Sequence, residues 1–577
     1  MEGINNTNIT CLPDEIISLI LKNNDPREII RFSVTCKQFY ENVICNDYLW
    51  KIKYSEIFPK EMVKIVEEHC NSNWLKEIIQ YYKLKRKNYI ELVCMSPKYY
   101  WRINEVSLED VKIFFSFATE TNLSFFYTIY ILQNIVKTGN YYLDNFTILK
   151  PLYTLTVVYY AKIALRHLIQ TYLAVKWVDL HMRQKLTPEV VITFFVQWVD
   201  PTCIYSDEEV ENKIQSLVTK VKGFLRDVHS KKNREQDVEK YSDKQILSAL
   251  SQVIYKSENF SISSSTKVIT LNIAKVIDKS NGNAITYAVI YQAVAKRLGV
   301  KCELIVFPNH LFLEWQDNDM PHKPLYTVDL ITGEIKPKRQ CPFSQSAYSR
   351  YEYSPDSLLQ YVYSSYMKSK GALRDCKTQN AIHLLDFLET RQLNHNPYRN
   401  FLPYLVDHVN PALTTSLNMK FIQNDHMQLI LTLSNLNTPP EVAYHQVQVK
   451  KHRDSVKYAV GMICYHKLYN YMCCVRGWEY NGAHLRIPID NNLYFGREQP
   501  FYRVIAGDQS ERFVAQENLI AVTTPFRIYC LEDHIAREFT HYNGFSYVPN
   551  AEKKIEYPNE EHVTEVFRRR FVNVATP

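Results

Sequence analysis

Glycine is scarce in this chain, with 13 in 577 residues, and six of those lie between Gly461 and Gly544. That shift sets a turn-rich C-terminal unit apart from a glycine-poor, mostly helical body. The thirteen cysteines are scattered and odd in number, and no C-x-x-C pair occurs. This pattern argues against a disulfide framework or a zinc site and for reduced thiols in a cytoplasmic or nuclear protein, with no metal and no cofactor expected. The first ten residues are polar and lack the apolar stretch of a secretory signal, so the Asn-x-Thr matches at Asn5 and Asn8 carry no weight. Long hydrophobic runs are missing as well. The most apolar segment, Leu152 to Leu180, is interrupted by Lys162, Arg166, His167 and Lys176, too early to span a bilayer and consistent with a buried helix. The net charge of +7 is modest for this length and speaks against a dedicated nucleic-acid binder. No fixed-period repeat is visible.

Apolar residues make up 46% of the chain and charged residues 22%, which is ample for several packed domains. Leu12 to Phe58 reads as three short helices. Pro13 suits a first-turn position, and Asp14 and Glu15 suit the positive end of the helix dipole. Ile16, Ile17, Leu19, Ile20 and Leu21 give that helix a wide apolar face, and Asp25 can cap the helix carrying Ile29, Phe32 and Val34. From Glu61 to about Asp200 the pattern is helical, with aromatic pairs such as Phe114–Phe115 read as core. Lys220 to Lys244 is charged and reads as an exposed loop or a solvated helix face.

The character changes after Val268. A helix over Ala284–Leu298 ends at Gly299, and strand-like runs follow at Cys302–Phe307, His310–Trp315 and Leu325–Leu330, with a turn at Thr332-Gly333. Helix followed by antiparallel strands predicts an α+β unit. Helical patterning returns from Leu358 to Leu436. Pro439-Pro440 and Lys450-Lys451-His452-Arg453 mark a linker. Strand candidates then follow at Val460–Tyr465, Tyr471–Trp478, Phe501–Ile505 and Arg512–Ala515, with a hairpin signal at Gly507-Asp508, and predict a small β-barrel.

Three segments resemble known families. The apolar pattern Leu12, Pro13, Glu15, Ile16, Ile20, Ile29, Phe32, Val34, Cys36, Phe39, Leu49 and Trp50 resembles an F-box, with Phe39 where Trp is usual and Pro26-Arg27-Glu28-Ile29 in place of the frequent Asp-Leu start. The resemblance implies docking of these residues on the Skp adaptor of a cullin scaffold, which works with a RING subunit and an E2.

A nucleophile at a helix start, an imidazole and an orienting carboxylate make a thiol-type triad. Asn283-Ala284-Ile285-Thr286, then Val306 to Leu313 with His310, then Tyr326-Thr327-Val328-Asp329 resemble the transglutaminase-like domain of the SirB family in that order. Ala284 stands where active members carry Cys, and a methyl group cannot attack a carbonyl. Cys302 is no substitute, because it falls in the strand after the helix. Ala284, His310 and Asp329 therefore read as a degenerate triad on a binding platform, with no catalytic residues and with His310 and Asp329 expected to remain hydrogen-bonded to each other at most.

Tyr458-Ala459-Val460-Gly461, Arg476-Gly477-Trp478, Gln499 to Val504 and Arg512 to Leu519 resemble the YccV-type domain, a family named for hemimethylated-DNA binding. Trp478, Phe501 and Tyr502 can fill or rim a barrel, and Arg476 and Arg512 can meet an anion. Between Lys450 and Ala515 there are ten Lys and Arg against six Asp and Glu, a mild excess that ranks protein or peptide recognition above DNA binding.

The expected fold is thus multidomain α+β: an F-box over 10–58, a helical region over 59–200, a transglutaminase-like domain without its nucleophile over 201–345, a helical segment over 346–445 and a YccV-like barrel over 453–555. The order implies a non-catalytic substrate receptor of a Skp–cullin–F-box ubiquitin ligase, with protein substrates and no membrane contact. Two other readings are a transglutaminase- or amidase-like enzyme with an unrecognised nucleophile, and a DNA-associated regulator acting through the barrel.

Overall fold

A computed structural model describes residues 12–69, 73–103, 105–121, 123–138, 154–202, 207–230, 241–264, 266–307, 310–317, 320, 322–338, 354–370, 443–482 and 493–575. The expected helical segment between 371 and 442 lies outside them. The chain divides into two compact units, Met1–Glu91 and Leu92–Pro577.

The first unit is built from α1 (Asp14–Leu21), α2 (Pro26–Ser33), α3 (Lys37–Ile44), α4 (Asp47–Ile57), α5 (Lys60–His69) and the start of α6 (Trp74–Tyr99). Up to Phe58 there are four helices where three were expected. The extra break follows from Asn46, whose side chain accepts from Leu49 N at 2.9 Å and starts a new helix. Asp25 caps α2 through Arg27 N at 2.8 Å, with Pro26 at the first helical position. Ile17, Leu21, Ile29, Phe39, Val43, Leu49, Trp50 and Tyr54 are buried. Trp50 also satisfies its indole N–H on the Val43 carbonyl at 2.7 Å, as a buried indole must.

In the second unit a helical body comprises the end of α6, α7 (Lys112–Ala118), α8 (Ser124–Thr138), α9 (Leu155–Met182) and α10 (Pro188–Val199). The apolar run read as a buried helix is α9, which packs against α8 and α10. Its charges are tolerated because they are paired, Lys162 with Asp533 and Arg166 with Glu105. Among the described residues no helix is long and apolar enough to cross a membrane.

Next come α11 (Asp207–Ser230) and α12 (Asp243–Ser251). Residues 220–230 of the charged stretch are helical, and 231–240 lie outside the described residues. A short parallel pair, β1 (Ser261–Ile262) and β2 (Asn281–Gly282), brackets α13 (Val268–Leu271) and α14 (Ile273–Lys279). Helix α15 (Ala284–Arg297) then packs on an antiparallel meander of β3 (Cys302–Val306), β4 (Leu311–Gln316), β5 (Leu325–Val328) and β6 (Ile335–Pro337). This is the predicted α+β unit with one further strand, β6. Helix α16 (Pro355–Lys370) follows.

The C-terminal part is a five-stranded antiparallel sheet of β7 (Ile463–His466), β8 (Met472–Glu479), β9 (Phe501–Ala506), β10 (Glu511–Ala515) and β11 (Leu519–Ala521), in the order β10-β9-β8-β7-β11. A 3-10 turn over Gln516–Asn518 links the two outer strands. They do not pair with each other among the described residues, yet three residues join them across the width of the sheet, so the sheet curls back on itself as the expected small barrel. Beyond it lie α17 (Tyr529–Ile535), the pair β12 (Phe539–Tyr542) and β13 (Tyr547–Pro549), α18 (Ala551–Glu556) and α19 (Glu560–Ala575). Gly461 is required where it stands. Its φ is +91°, and a Cβ there would lie 1.9 Å from the Tyr547 carbonyl oxygen.

Candidate functional site

Helix α1 is apolar on two sides. Ile17 and Leu21 are 3% exposed and hold the helix to its own unit. Ile16, Leu19 and Ile20 recur at three- and four-residue spacing on the other side and are 43%, 63% and 49% exposed, and Leu12, just ahead of the helix, is 37% exposed. An outward apolar stripe on a helix already anchored by its inner face has no role in the fold of its own unit. Pro13 and Glu15 stand beside it, exposed. Val34 is 67% exposed at the end of α2, and Tyr48 71% exposed on α4. Between α1 and α4 a groove of about 390 Å³ is lined by Asp14, Glu15, Leu19, Tyr48 and Ile52. Asn46 at the start of α4 donates to Ser18 Oγ at 2.7 Å and ties the two walls, and Asn42 on α3 donates to Asp14 at 2.5 Å.

The other residues expected to dock are placed differently. Ile29, Phe39, Leu49 and Trp50 are between 0% and 4% exposed. They form the core beneath the exposed stripe and do not present a face themselves. Phe32 is half-buried and stacked on Phe39 at 4.4 Å. Cys36 caps α3, its sulfur accepting from Phe39 N at 3.5 Å. Sequence pattern alone did not single out Leu19 and Tyr48, although the helical position of Leu19 beside Ile16 and Ile20 is a usable signal.

At the second site the helix start falls at Ala284, as expected. Asn283 caps α15 through Ile285 N at 3.0 Å, and its amide donates to Thr266 Oγ1 at 3.2 Å. Thr266 in turn meets α16, with Ser365 Oγ at 3.2 Å and Ser369 Oγ donating to its carbonyl at 2.9 Å. A polar seam therefore ties α16 to the residue next to Ala284. The expected His310–Asp329 hydrogen bond is absent. His310 is exposed and stacks on Phe307 at 4.6 Å. The Asp329 carboxylate accepts from Ile331 N at 2.9 Å, Thr332 N at 3.3 Å and Lys336 Nζ at 2.7 Å. The Lys336 hydrogen bond holds its carboxyl below the ordinary range. Asp329 is committed to the β5–β6 turn. Cys302 is buried on β3, and burial pushes its thiol up to about 12, so it is no thiolate at neutral pH.

In the C-terminal sheet the expected ligand residues are interior. Trp478, Phe501 and Tyr502 are 1%, 3% and 0% exposed. The Trp478 indole donates to Glu560 Oε1 at 3.3 Å, and Glu560 Oε2 also accepts from Val460 N at 2.6 Å. Arg476 is paired with Glu538, Nε to Oε2 at 2.7 Å. Glu538 is bracketed as well by Arg503 at 3.2 Å and Lys553 at 3.7 Å. Burial opposes ionisation of Glu538, yet Arg476 and Lys553 hold it far below the ordinary carboxylate range. Arg512 pairs with Asp508 at 2.5 Å and lies over the Tyr471 ring at 4.4 Å. Arg476 is thus held inside by Glu538, whereas Arg512 is part-exposed with its charge shared with Asp508. Glu538 and Glu560 had no local sequence signal, because their partners lie 62 and 82 residues away. Among the described residues no His, Cys, Asp and Glu cluster could hold a metal ion.

The F-box-like sequence pattern matches residues 9–55, the transglutaminase-like superfamily pattern residues 208–361, and the pattern described as hemimethylated DNA-binding protein YccV like residues 456–545. The chain is 24% identical to F-box only protein 21 of Mus musculus over 608 residues, covering 95% of this chain and 92% of that protein. The Pongo abelii and Homo sapiens proteins of the same name match at 24% with the same coverage. No solved structure matches. The matched segments support an F-box substrate-adaptor role, and a transglutaminase-like domain is present. The chain thus carries an F-box-like N-terminal segment, a transglutaminase-like middle and a YccV-like C-terminal region in that order, and over 95% of its length it is similar to F-box only protein 21.

Proposed function

We propose that this chain is the substrate-recognition subunit of a Skp–cullin–F-box ubiquitin ligase and makes no bond itself. The observation that carries the reading is the outward stripe of Ile16, Leu19 and Ile20 on α1, with Leu12 just ahead of it, an exposed apolar surface on an F-box-like segment. Docking buries that stripe against the Skp adaptor, and the cullin with its RING subunit and E2 supplies the transfer chemistry. The distal domains hold a protein substrate close to the E2, so catalysis is by proximity. Three features support a non-catalytic middle domain: Ala284 at the helix start, a buried Cys302 with a raised pKa, and an Asp329 spent on its own turn. Cytoplasmic and nuclear sites both suit this role.

The test is affinity purification of the full chain beside an Ile16→Asp, Ile20→Asp variant, with mass spectrometry of the partners. Recovery of Skp and cullin subunits with the parent chain alone supports the proposal. Equal recovery with both chains, or with neither, defeats it.

A further inference from the structure

The edge of the C-terminal sheet offers a surface with a defined chemistry. In the β9–β10 ladder Arg512 faces Val504 and Val514 faces Tyr502. The flanking bonds Ala506 N to Ser510 O and Gln516 N to Pro500 O fix the phase. Even-numbered residues of β10 therefore bond inward to β9, and the N–H and C=O of Glu511, Phe513 and Ala515 point away from the sheet. β10 is the outer strand, and the outward backbone groups of Glu511 and Phe513 have no partner among the described residues.

One end of this edge is closed. Ala515 is 4% exposed, and the chain at 455–458 is fastened over that end. Gln516 Nε2 donates to Ser455 O at 3.1 Å, and Lys457 N donates to Gln516 Oε1 at 2.8 Å. The other end is open. Phe513 is 39% exposed, and Glu511 carries a 47% exposed side chain. Edge strands are commonly blunted by proline, a bulge or an unpaired inward charge. β10 has no proline and no bulge. Its two charged residues are already neutralised, Glu511 by Arg503 at 3.2 Å and Arg512 by Asp508.

We infer that the Glu511–Phe513 edge of β10 binds an extended peptide segment of a protein substrate by strand addition. Outward donors and acceptors repeat every second residue, and only an extended main chain answers that repeat. The exposed Phe513 ring supplies an apolar neighbour for one β-branched or aromatic side chain across the new ladder. With both edge charges neutralised, sequence preference rests on shape and apolar contact more than on charge. The inference rests on the substrate-receptor reading for its biological sense, but the binding stands or falls separately.

The experiment uses the full chain and a synthetic octapeptide, acetyl-Ser-Val-Lys-Val-Thr-Val-Lys-Ser-amide, with two versions N-methylated on alternate residues in opposite phase. Strand addition predicts that one methylated version loses affinity roughly tenfold or more while the other binds nearly as the parent does. Phe513→Pro removes the outward N–H without touching a bond to β9, as edge positions permit. It should lose the peptide to the same extent with its circular dichroism unchanged. Phe513→Ala keeps the N–H and should lose less. Equal binding of both methylated peptides, or full binding by a folded Phe513→Pro chain, overturns the inference. So does concentration-dependent dimerisation that Phe513→Pro abolishes, because the edge would then be taken by a second copy. Phase-dependent peptide binding in a chain that recovers no Skp adaptor leaves this inference standing and removes the receptor reading. Adaptor recovery without peptide binding does the reverse.

Discussion

Arg537 caps a helix from more than four hundred residues away, its guanidinium donating to the Tyr100 carbonyl at 2.5 Å just past the end of α6. The same nitrogen reaches Tyr99 O at 3.0 Å and Arg102 O at 2.7 Å. Carbonyls at a helix C-terminus lack intrahelical partners and carry the negative end of the dipole, so a half-buried cation satisfies both needs. Nearby, Ser96 donates to Glu552 at 2.9 Å and Thr156 to the Phe539 carbonyl at 3.0 Å. The C-terminal region is thus hydrogen-bonded to the helical body along several elements. Arg537→Ala should cost about 2 kcal/mol or more of unfolding free energy, since hydrogen bonds to a charged group are each worth about 1.5–3 kcal/mol. Arg537→Lys should restore only part, because the shorter side chain falls short of Nη2 and gives up the guanidinium's place over the Tyr100 ring. Urea denaturation of the three chains checks the order.

Glu538 sits among Arg476, Arg503 and Lys553, and Lys553 is wholly buried. Removing the carboxylate strands cations away from water, and breaking a buried pair in this way costs about 3–5 kcal/mol. Glu538→Ala should therefore destabilise the C-terminal region more than Asp508→Ala, whose pair with Arg512 is exposed and worth about 1 kcal/mol or less. Comparing their denaturant midpoints tests this. Equal shifts would mean that the Glu538 cluster is better hydrated than its burial implies.

The outer and inner faces of the N-terminal unit should separate by mutation. Ile16→Asp with Ile20→Asp changes two exposed side chains and should abolish adaptor recovery while moving the melting temperature little. Trp50→Ala empties a site that is 0% exposed and should cost about 3–5 kcal/mol, losing adaptor and fold together. Recovery by pull-down plotted against circular dichroism distinguishes the two. A double Asp variant that unfolds would show that the stripe belongs to the core.

Much of this was readable from residues alone. The cap Asp25, the glycine ending α15 and the strand-like runs of β3, β4 and β5 act within a few positions, so the sequence displays them directly. Which side of an apolar residue faces out was not readable. Ile16 and Ile29 look alike in the sequence, and only packing separates an exposed docking side chain from a buried one. Arg476 and Trp478 looked like ligand contacts for the same reason. Their partners, Glu538 and Glu560, arrive from α17–α19 and the loop between, and no periodic pattern links them. The small barrel was legible from strand count and turns, but the strand order, which sets β11 beside β7, was not.

Restoring the missing thiol should not restore an enzyme. In Ala284→Cys the new sulfur would stand at the first turn of α15, next to Asn283, which is tied through Thr266 to Ser365 and Ser369 of α16. His310 points to solvent and Asp329 is held by Lys336, so no oriented imidazole is ready to take the proton. Amine incorporation into an acyl donor should stay at background, and iodoacetamide labelling of the new thiol should be unchanged by a further His310→Ala. Turnover in Ala284→Cys that disappears in Ala284→Cys, His310→Ala would overturn the non-catalytic reading of this domain.

His452 gives the fold a pH dependence with a definite sign. Its Nδ1 faces Glu560 Oε1 at 2.9 Å and its Nε2 faces the Val456 carbonyl at 2.8 Å. Both partners are acceptors, so both nitrogens must carry protons and the ring is an imidazolium. Burial works against the charge, but the Glu560 hydrogen bond and its negative charge outweigh burial and raise the pKa above 6.5. A folded-state value above the unfolded one means that the contribution is complete below about pH 6.5 and is lost as pH rises through the raised value. Glu560 also holds Trp478 and Val460, so the loss is felt in the sheet core. The stability gap between the parent chain and His452→Gln should be widest near pH 6 and should narrow towards pH 9. Trp478 fluorescence during urea unfolding at the two pH values reads the gap, and a gap that widens with pH would mean that the ring is neutral in the folded chain.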